Sequence, residues 1–276
     1  MTRYAMVVNV DRCIGCDVCL IVCKDQHVEN EYAPYTKPQP ETGHFWMQVN
    51  DVERADYPAV KLDWLPTPCM HCEDAPCVKA SGGAVYKRSD GIVIIDPVKA
   101  VGKQDIVASC PYGRIYWNAD LSLPQKCTFC AHKVDQGMAP ACVDACPLQA
   151  LAFGDMDDPN SPVANLIQKG EVLHPEFGTK PKVFYLGLPK TFLTGKAVCG
   201  VSGEYLKGAK VTLTDDAGKV LTTTVDSYGD FEFDGLKAGI MYKLKIEMDG
   251  RYPKTKMVYL ATNTYLGKIQ LFPKEV

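Results

Sequence analysis

The sequence lacks the features that mark a nucleic-acid-binding or membrane-spanning protein. Its 276 residues hold 30 Lys and Arg against 33 Asp and Glu, so a net charge of −3 leaves no basic surplus for a phosphate backbone. No stretch approaches the run of about 18 apolar residues that a membrane-spanning helix needs. The first ten residues read as a strand and are too short for a signal peptide, which predicts a cytoplasmic protein. Export together with a partner that carries a signal stays open.

Histidine is scarce as well, with five residues dispersed along the chain. No isolated group of Ser, His and Asp stands out as a nucleophilic centre. We therefore expect no catalytic residue in this chain, and its chemistry must rest on another residue type.

Cysteine is abundant and regularly spaced. Twelve of the 13 cysteines fall into spacings typical of ferredoxins. A bacterial ferredoxin run of the form C-x2-C-x2-C-x3-C supplies three thiolates to one 4Fe–4S cluster and its last Cys to the neighbouring cluster. The run 13–23 has this form, and the cysteines between 127 and 146 form its counterpart.

Applying this exchange to the chain predicts three ligand sets of four cysteines each. Set A is Cys13, Cys16, Cys19 and Cys146; set B is Cys23, Cys127, Cys130 and Cys142; set C is Cys69, Cys72, Cys77 and Cys110. The remaining Cys199 lies far downstream and is interpreted as a small buried apolar residue.

Two other uses of cysteine compete with this interpretation. Disulfides suit C-x2-C repeats poorly, and no signal peptide indicates an oxidising compartment. Zinc is the better alternative, but the run 13–23 is too crowded for one tetrahedral ion. The spacing favours iron–sulfur clusters.

A fourth ligand set is missing where a second complete pair of runs would supply it. The four positions are Ser81, Ala100, Lys103 and Ile106. Because a cluster-sized void would lose contacts on every wall, we expect Ile106 and nearby aliphatic residues such as Val107 and Val101 to fill it. Lys103 should reach water or pair with a carboxylate. Set C would then lack its nearest redox neighbour.

The predicted fold class is α+β, with tandem ferredoxin-like modules followed by an antiparallel β-sandwich. Residues 1–153 are the predicted iron–sulfur domain, built from two pseudo-repeated modules with an insertion at 24–68 that is rich in Pro and aromatic residues. Residues 154–190 are predicted to be a connecting arm. Alternating apolar residues between Gly-containing turns predict a seven-stranded sandwich over 191–276.

Segments 13–16, 69–77, 126–130, 140–147 and 153–155 resemble the iron–sulfur (β) subunits of the dimethyl-sulfoxide-reductase family of molybdopterin oxidoreductases. The resemblance implies a non-catalytic electron-transfer subunit with three 4Fe–4S clusters. It also implies a heterodimer with a large catalytic subunit that alone binds the molybdopterin metal cofactor. Neither nucleic acid nor a membrane span of its own is expected.

Two features distinguish this chain from most subunits of that family. Most such subunits carry four clusters and no C-terminal sandwich, whereas segment 226–233 resembles carboxypeptidase regulatory-like, transthyretin-like sandwiches. The combination resembles small subunits of anaerobic transhydroxylases, which move a hydroxyl group between trihydroxybenzenes. Two alternatives remain: a relay subunit of a respiratory reductase acting on polysulfide, thiosulfate or dimethyl sulfoxide, and a scaffold that the clusters only stabilise.

Overall fold

The computed structural model describes residues 2–55 and 57–274 of the chain. The chain divides into two compact units. The first comprises the chain up to Val52 together with Asp63–Leu188, and the second comprises Glu53–Leu62 together with the chain from Pro189 onward. Part of the segment 24–68 thus groups with the C-terminal unit, whereas the sequence predicts that all of it lies in the iron–sulfur domain.

The N-terminal part of the chain is built from short strands and short helices. Its strands are β1 (Tyr4–Asn9), β2 (Gln48–Arg54), β3 (Lys61–Thr67), β4 (Val85–Lys87), β5 (Val93–Ile95), β6 (Tyr116–Asn118), β7 (Leu123–Gln125), β8 (Leu151–Asp155) and β9 (Val183–Leu186). Its helices are α1 (Val18–His27), α2 (Pro76–Ala80), α3 (Asp105–Ala108), α4 (Ala131–Val134), α5 (Ala141–Asp144) and α6 (Ala164–Ile167).

The first unit is organised around β1. This strand pairs antiparallel with β8 and parallel with β9, so that Met6 lies opposite both Phe153 and Val183. Val183 and Tyr185 are fully buried, because alternate residues of a strand face the same side. The predicted arm 154–190 therefore contributes an integral strand to this unit.

Helix α1 places cysteines on its buried face. Cys19, Cys23 and His27 are its buried residues and follow one another at intervals of four, which puts them on one side of an α-helix. One short helix thereby presents a cysteine of set A and a cysteine of set B to the interior.

Two small hairpins frame the middle cysteines. Strands β4 and β5 pair antiparallel with Tyr86 opposite Ile94, and β6 pairs antiparallel with β7. Residues Ile92–Ile95 are buried, as expected for an apolar run without alternation. The arrangement of the cysteine runs as tandem ferredoxin modules stays a prediction.

The described residues from Pro189 onward form seven strands in two sheets. They are β10 (Thr191–Cys199), β11 (Lys210–Thr214), β12 (Val220–Thr224), β13 (Asp230–Leu236), β14 (Ile240–Glu247), β15 (Lys254–Leu260) and β16 (Thr264–Leu271). The three-stranded sheet has the order β13–β10–β16, and the four-stranded sheet has the order β12–β11–β14–β15.

Alternation along the strands builds the core of this unit. Tyr242, Leu244 and Ile246 of β14 are buried while their neighbours face outward, and Val211 and Leu213 of β11 do the same. The prediction of a wholly antiparallel sandwich is wrong at one edge, because β16 runs parallel to β10. The chain crosses from the four-stranded sheet to the other sheet after β15 and arrives there in the direction of β10.

Candidate metal centres

The cysteines of set A line one small cavity. Cys13, Cys16, Cys19 and Cys146 all border it, on the loop before α1, the first turn of α1 and the turn after α5. Burial raises the pKa of Cys19 to about 12, and the nearby thiols of Cys13 and Cys146 contribute to this shift. The loop therefore curls its thiols around one space.

The cysteines of set B lie deeper in the unit. Burial raises the pKa of Cys23 and of Cys142 well above the ordinary value, and Cys127 and Cys130 add to the shift of both. Burial likewise raises the pKa of Cys127 to about 12. Helices α1 and α5 thus bring two cysteines to the loop 127–130, more than 100 residues after the first run.

Set C is assembled from two segments. Burial raises the pKa of Cys72 to about 12 and that of Cys77 to about 11. The nearby thiols of Cys69 and Cys110 contribute to the raised pKa of both cysteines. The structure therefore brings Cys110 to the loop 69–77.

Main-chain amides point at three of these sulfurs. The N–H of Arg114 donates to the Sγ of Cys110 at 3.4 Å, and the N–H of Ala150 donates to the Sγ of Cys146 at 3.2 Å. In both cases the donor lies four residues after a cysteine that precedes a proline, so one turn geometry occurs twice. The N–H of Phe129 donates in the same way to Cys127 at 3.4 Å. Such donors stabilise a thiolate and tune the reduction potential of a cluster bound to it.

The donor set fits iron–sulfur clusters. Each set offers four thiols, the number that a 4Fe–4S cluster takes. Burial raises the pKa of most of them, so without metal they stay neutral thiols, and a bound cation deprotonates them. Among the described residues, no three His, Cys, Asp or Glu side chains are grouped to hold a single metal ion.

Sets B and C are neighbours. After burial itself, the thiol of Cys69 contributes most to the raised pKa of Cys127, ahead of Cys130 from the same set. Tyr116 lies within electrostatic reach of Cys110, Cys23 and Cys69. That set C lacks its nearest redox neighbour stays a prediction. Set B also adjoins set A, since Cys23 and Cys19 share α1.

Two family models match the chain, one in each part. Residues 60–156 match the 4Fe-4S dicluster domain, and residues 193–270 match the carboxypeptidase regulatory-like domain. The first segment contains eight of the twelve grouped cysteines: 69, 72, 77, 110, 127, 130, 142 and 146. The matches support iron–sulfur over zinc and support the expected family of the sandwich.

The relatives cover either nearly the whole chain or about two thirds of it. The pyrogallol hydroxytransferase small subunit of Pelobacter acidigallici is 39% identical over 98% of this chain and 100% of its own length. This chain belongs to the iron–sulfur subunits of the molybdopterin oxidoreductases. A tetrathionate reductase subunit of Salmonella typhimurium is 39% identical over 70% of this iron–sulfur subunit and 75% of its own length. The arsenate respiratory reductase iron–sulfur subunit of Shewanella is 32% identical over 67% of this chain and 96% of its own length.

The family assignment gives the chain the role of an iron–sulfur electron-transfer subunit. Within the part that the structure describes, no helix has both the length and the apolar character needed to cross a membrane.

The four positions of the missing ligand set are packed as protein interior. Ala100 and Ile106 are fully buried, and Ser81 is buried at the end of α2. Lys103 is partly exposed, and its Nζ donates to the carbonyl oxygen of Ser81 at 2.9 Å. Of the two expected environments, water and a carboxylate, the described residues supply no carboxylate partner. Val107 is partly buried against the core, whereas Val101 is 56% exposed, so the expectation that Val101 fills this space is wrong. Its position precedes Gly102, where the chain turns at the surface.

Two residues near the sulfurs escaped the sequence analysis. His27 is buried, and its Nε2 lies 3.9 Å from the Sγ of Cys130. Lys126 is 2% exposed and donates through Nζ to the carbonyl oxygens of Val93 and Cys127. The only sequence signal was position: His27 lies four residues after Cys23, and Lys126 lies directly before Cys127.

His71 is a structural residue in the loop of set C. Its Nδ1 accepts a hydrogen bond from the N–H of Val93 at 3.0 Å, and its ring stacks on Phe129 with centroids 3.7 Å apart. Burial and then Lys126 lower the pKa of His71 well below its usual value. A main-chain hydrogen bond therefore holds the ring of His71, and the imidazole is neutral at pH 7.

Cys199 differs from the interpretation of an inert apolar residue. The thiol is buried at the end of β10, and the guanidinium of Arg251 donates to its Sγ at 3.0 Å. Hydrogen bonds from Ser202 contribute most to lowering the pKa of Cys199 to about 6, with Arg251 a smaller contributor. Hydrogen bonding around Cys199 therefore favours the thiolate, whereas burial favours the neutral thiols of Cys23 and Cys142.

Proposed function

We propose that this subunit holds three 4Fe–4S clusters, on sets A, B and C, and serves a molybdopterin catalytic subunit of the pyrogallol–phloroglucinol transhydroxylase type. The catalytic site then lies in the partner chain, and the two subunits form a heterodimer. The transferred group is a hydroxyl, moved from one trihydroxybenzene to another.

One observation carries the choice of this member of the family. The identity of 39% with the pyrogallol hydroxytransferase small subunit runs through both units, including the sandwich, and covers that relative completely. The tetrathionate and arsenate reductase subunits match only 70% and 67% of this chain. The match to the transhydroxylase subunit therefore includes the C-terminal unit of this chain.

The residues of this chain hold and surround the clusters. The twelve thiolates would bind them, and the amides of Phe129, Arg114 and Ala150 would donate to ligand sulfurs. Bound 4Fe–4S clusters supply one-electron storage and transfer. Hydroxyl transfer between two rings has no net electron output. The electrons held in this chain would then set or restore the oxidation state of the partner's metal.

A second candidate function is a relay in a respiratory reductase. It is favoured by the equal identity, 39%, between this chain and the tetrathionate reductase relative over 70% of this chain. The adjacency of all three sets suits such a relay as well as it suits the transhydroxylase. In that case electrons would leave through a further subunit.

The test is anaerobic co-purification of this chain with its partner, followed by metal analysis and assay. We expect about twelve irons per chain, from three clusters of four, and molybdenum or tungsten in the partner. About sixteen irons, or stoichiometric zinc, would contradict the ligand sets. Conversion of pyrogallol to phloroglucinol is the expected activity, and reduction of tetrathionate or polysulfide without it would favour the relay.

A cluster-depleted complex separates electron transfer from scaffolding. Loss of all exchange between the partner's metal and an added electron donor, in a complex that still assembles, supports electron transfer. Unchanged exchange would support the scaffold. The cytoplasmic location stays a prediction that cell fractionation can check.

A further inference from the structure

Lys126 carries a buried positive charge that no carboxylate compensates. Its side chain is 2% exposed, and its Nζ donates to two main-chain carbonyl oxygens, of which that of Cys127 lies 3.0 Å away. Among the described residues, no Asp or Glu oxygen lies within ion-pair distance of it. An isolated buried ammonium costs too much free energy to persist without a nearby negative charge.

Another buried lysine of the same unit shows the usual solution. The Nζ of Lys182 lies 3.0 Å from a carboxylate oxygen of Glu73. Glu73, which also pairs with Lys87 at 2.7 Å, therefore supplies Lys182 with a negative charge from within the protein itself. Lys126 must find its counter-charge elsewhere.

The contacts of Lys126 lead to two different ligand sets. Its Nζ donates to the carbonyl oxygen of Cys127, a ligand of set B. It also donates to the carbonyl oxygen of Val93, whose N–H donates to His71 within the loop 69–77 of set C. Lys126 thus lies where the two neighbouring sets meet.

We propose that Lys126 is the shared counter-cation of the two clusters on sets B and C, and that it makes the one-electron reduction of both more favourable. This inference rests on the proposed ligand sets. Each reduction adds one electron to a cluster and requires no proton at Lys126. The electron comes from the partner's metal centre in the complex or from dithionite in the assay.

The physical reason is the fixed position of the charge. Two carbonyl oxygens orient the Nζ, so little rearrangement accompanies arrival of the electron. In a buried site the attraction between an ammonium and a reduced cluster is screened far less than in water. Because Lys126 adjoins both sets, its effect falls on both potentials, whereas set A should be unaffected.

The experiment is a redox titration of the anaerobic holo-complex, followed by electron paramagnetic resonance, for the wild type and for Lys126→Met. Signals are assigned to sets with Cys23→Ser for set B and Cys110→Ser for set C. We expect the variant to retain about twelve irons. Its reduction equilibrium constants at sets B and C should fall at least about tenfold, or about 59 mV for a one-electron couple.

Lys182→Met is the matched control, since it removes a buried lysine whose charge is already paired with Glu73. It should leave all three potentials unchanged. A shift at only one of sets B and C, no shift at either, or an equal shift at set A would overturn the proposal.

If Lys126→Met loses iron, the variant Lys126→Arg separates the effect of the charge from that of packing. If the arginine variant regains iron and near-native potentials, the positive charge is the determinant. If it loses iron equally, Lys126 acts through packing and the proposal fails. Absence of iron–sulfur signals from the wild type itself would instead refute the proposed function.

Discussion

Gly15 is expected to be the most sensitive non-cysteine position of set A. It lies between Cys13 and Cys16 with φ +65°, in the left-handed region that side chains rarely adopt. A Cβ at this position would lie 2.3 Å from Cδ1 and 2.4 Å from Nε1 of Trp64. The loop can therefore lie this close to the Trp64 ring only if residue 15 is glycine.

The cost of Gly15→Ala has two parts. The left-handed backbone costs an alanine about 1–2 kcal/mol. Displacing a packed indole adds about 1–3 kcal/mol, the usual cost of overpacking. Gly113 provides a matched control next to set C, because its φ is +62° and a Cβ there would meet nothing within 4 Å. Gly113→Ala should show the backbone cost alone.

The assay measures iron content and thermal unfolding of the anaerobic complex for both variants. Gly15→Ala should lose set A and fall to about eight irons, while Gly113→Ala keeps about twelve. The difference in unfolding free energy should be about 1–3 kcal/mol. Equal losses in the two variants would show that contact with Trp64 does not shape the loop.

Three further variants test other features. Cys23→Ser should abolish the spectrum of set B and leave that of set A intact, because the last Cys of the run turns to the neighbouring site; the opposite result would reject the exchange of ligands. Ile106→Ala should cost about 2–5 kcal/mol in chemical unfolding without loss of iron, whereas the exposed Val101→Ala should stay within about 0.5 kcal/mol. The Cys199 thiolate stabilises the fold fully above its unfolded pKa near 9, and this contribution disappears as pH falls through about 6. The gap in melting temperature between wild type and Cys199→Ser should therefore widen from pH 6 to pH 9, and a constant gap would contradict ionisation of this thiol.

Local patterns predicted local structure well. The buried strand at Ile92–Ile95 and the alternating strands of the sandwich follow directly from apolar spacing. Two of the Gly-containing turns between strands of the sandwich are closed by Asp215 and Asp226, which accept hydrogen bonds from main-chain N–H groups within four residues. The grouping of cysteines also came from spacing, since a cluster needs a fixed number of thiolates.

Long-range pairings did not follow from the sequence. The parallel pairing of β1 with β9 joins residues about 177 positions apart, and no local pattern distinguishes such a strand from an extended arm. The hydrogen bond of Lys103 to the Ser81 carbonyl depends on where α2 ends. Lys126 was missed because lysine is rarely buried, so its identity alone argues for the surface.

The pairing of β1 with strands made much later has a consequence for biosynthesis. On the proposed ligand sets, set C is complete once Cys110 has been synthesised, whereas sets A and B wait for Cys146, and β1 waits for Leu186 to complete its parallel partner. Translation of those last 76 residues (186 − 110) takes roughly 4 to 15 seconds at about 5–20 residues per second. Until Cys146 is made, the cysteine loop 13–19 lacks its fourth ligand, and β1 lacks its parallel partner for longer still. Iron–sulfur loading factors would meet set C first, sets A and B would follow together, and the pairing of β1 with β9 would be the last event in the maturation of the first unit.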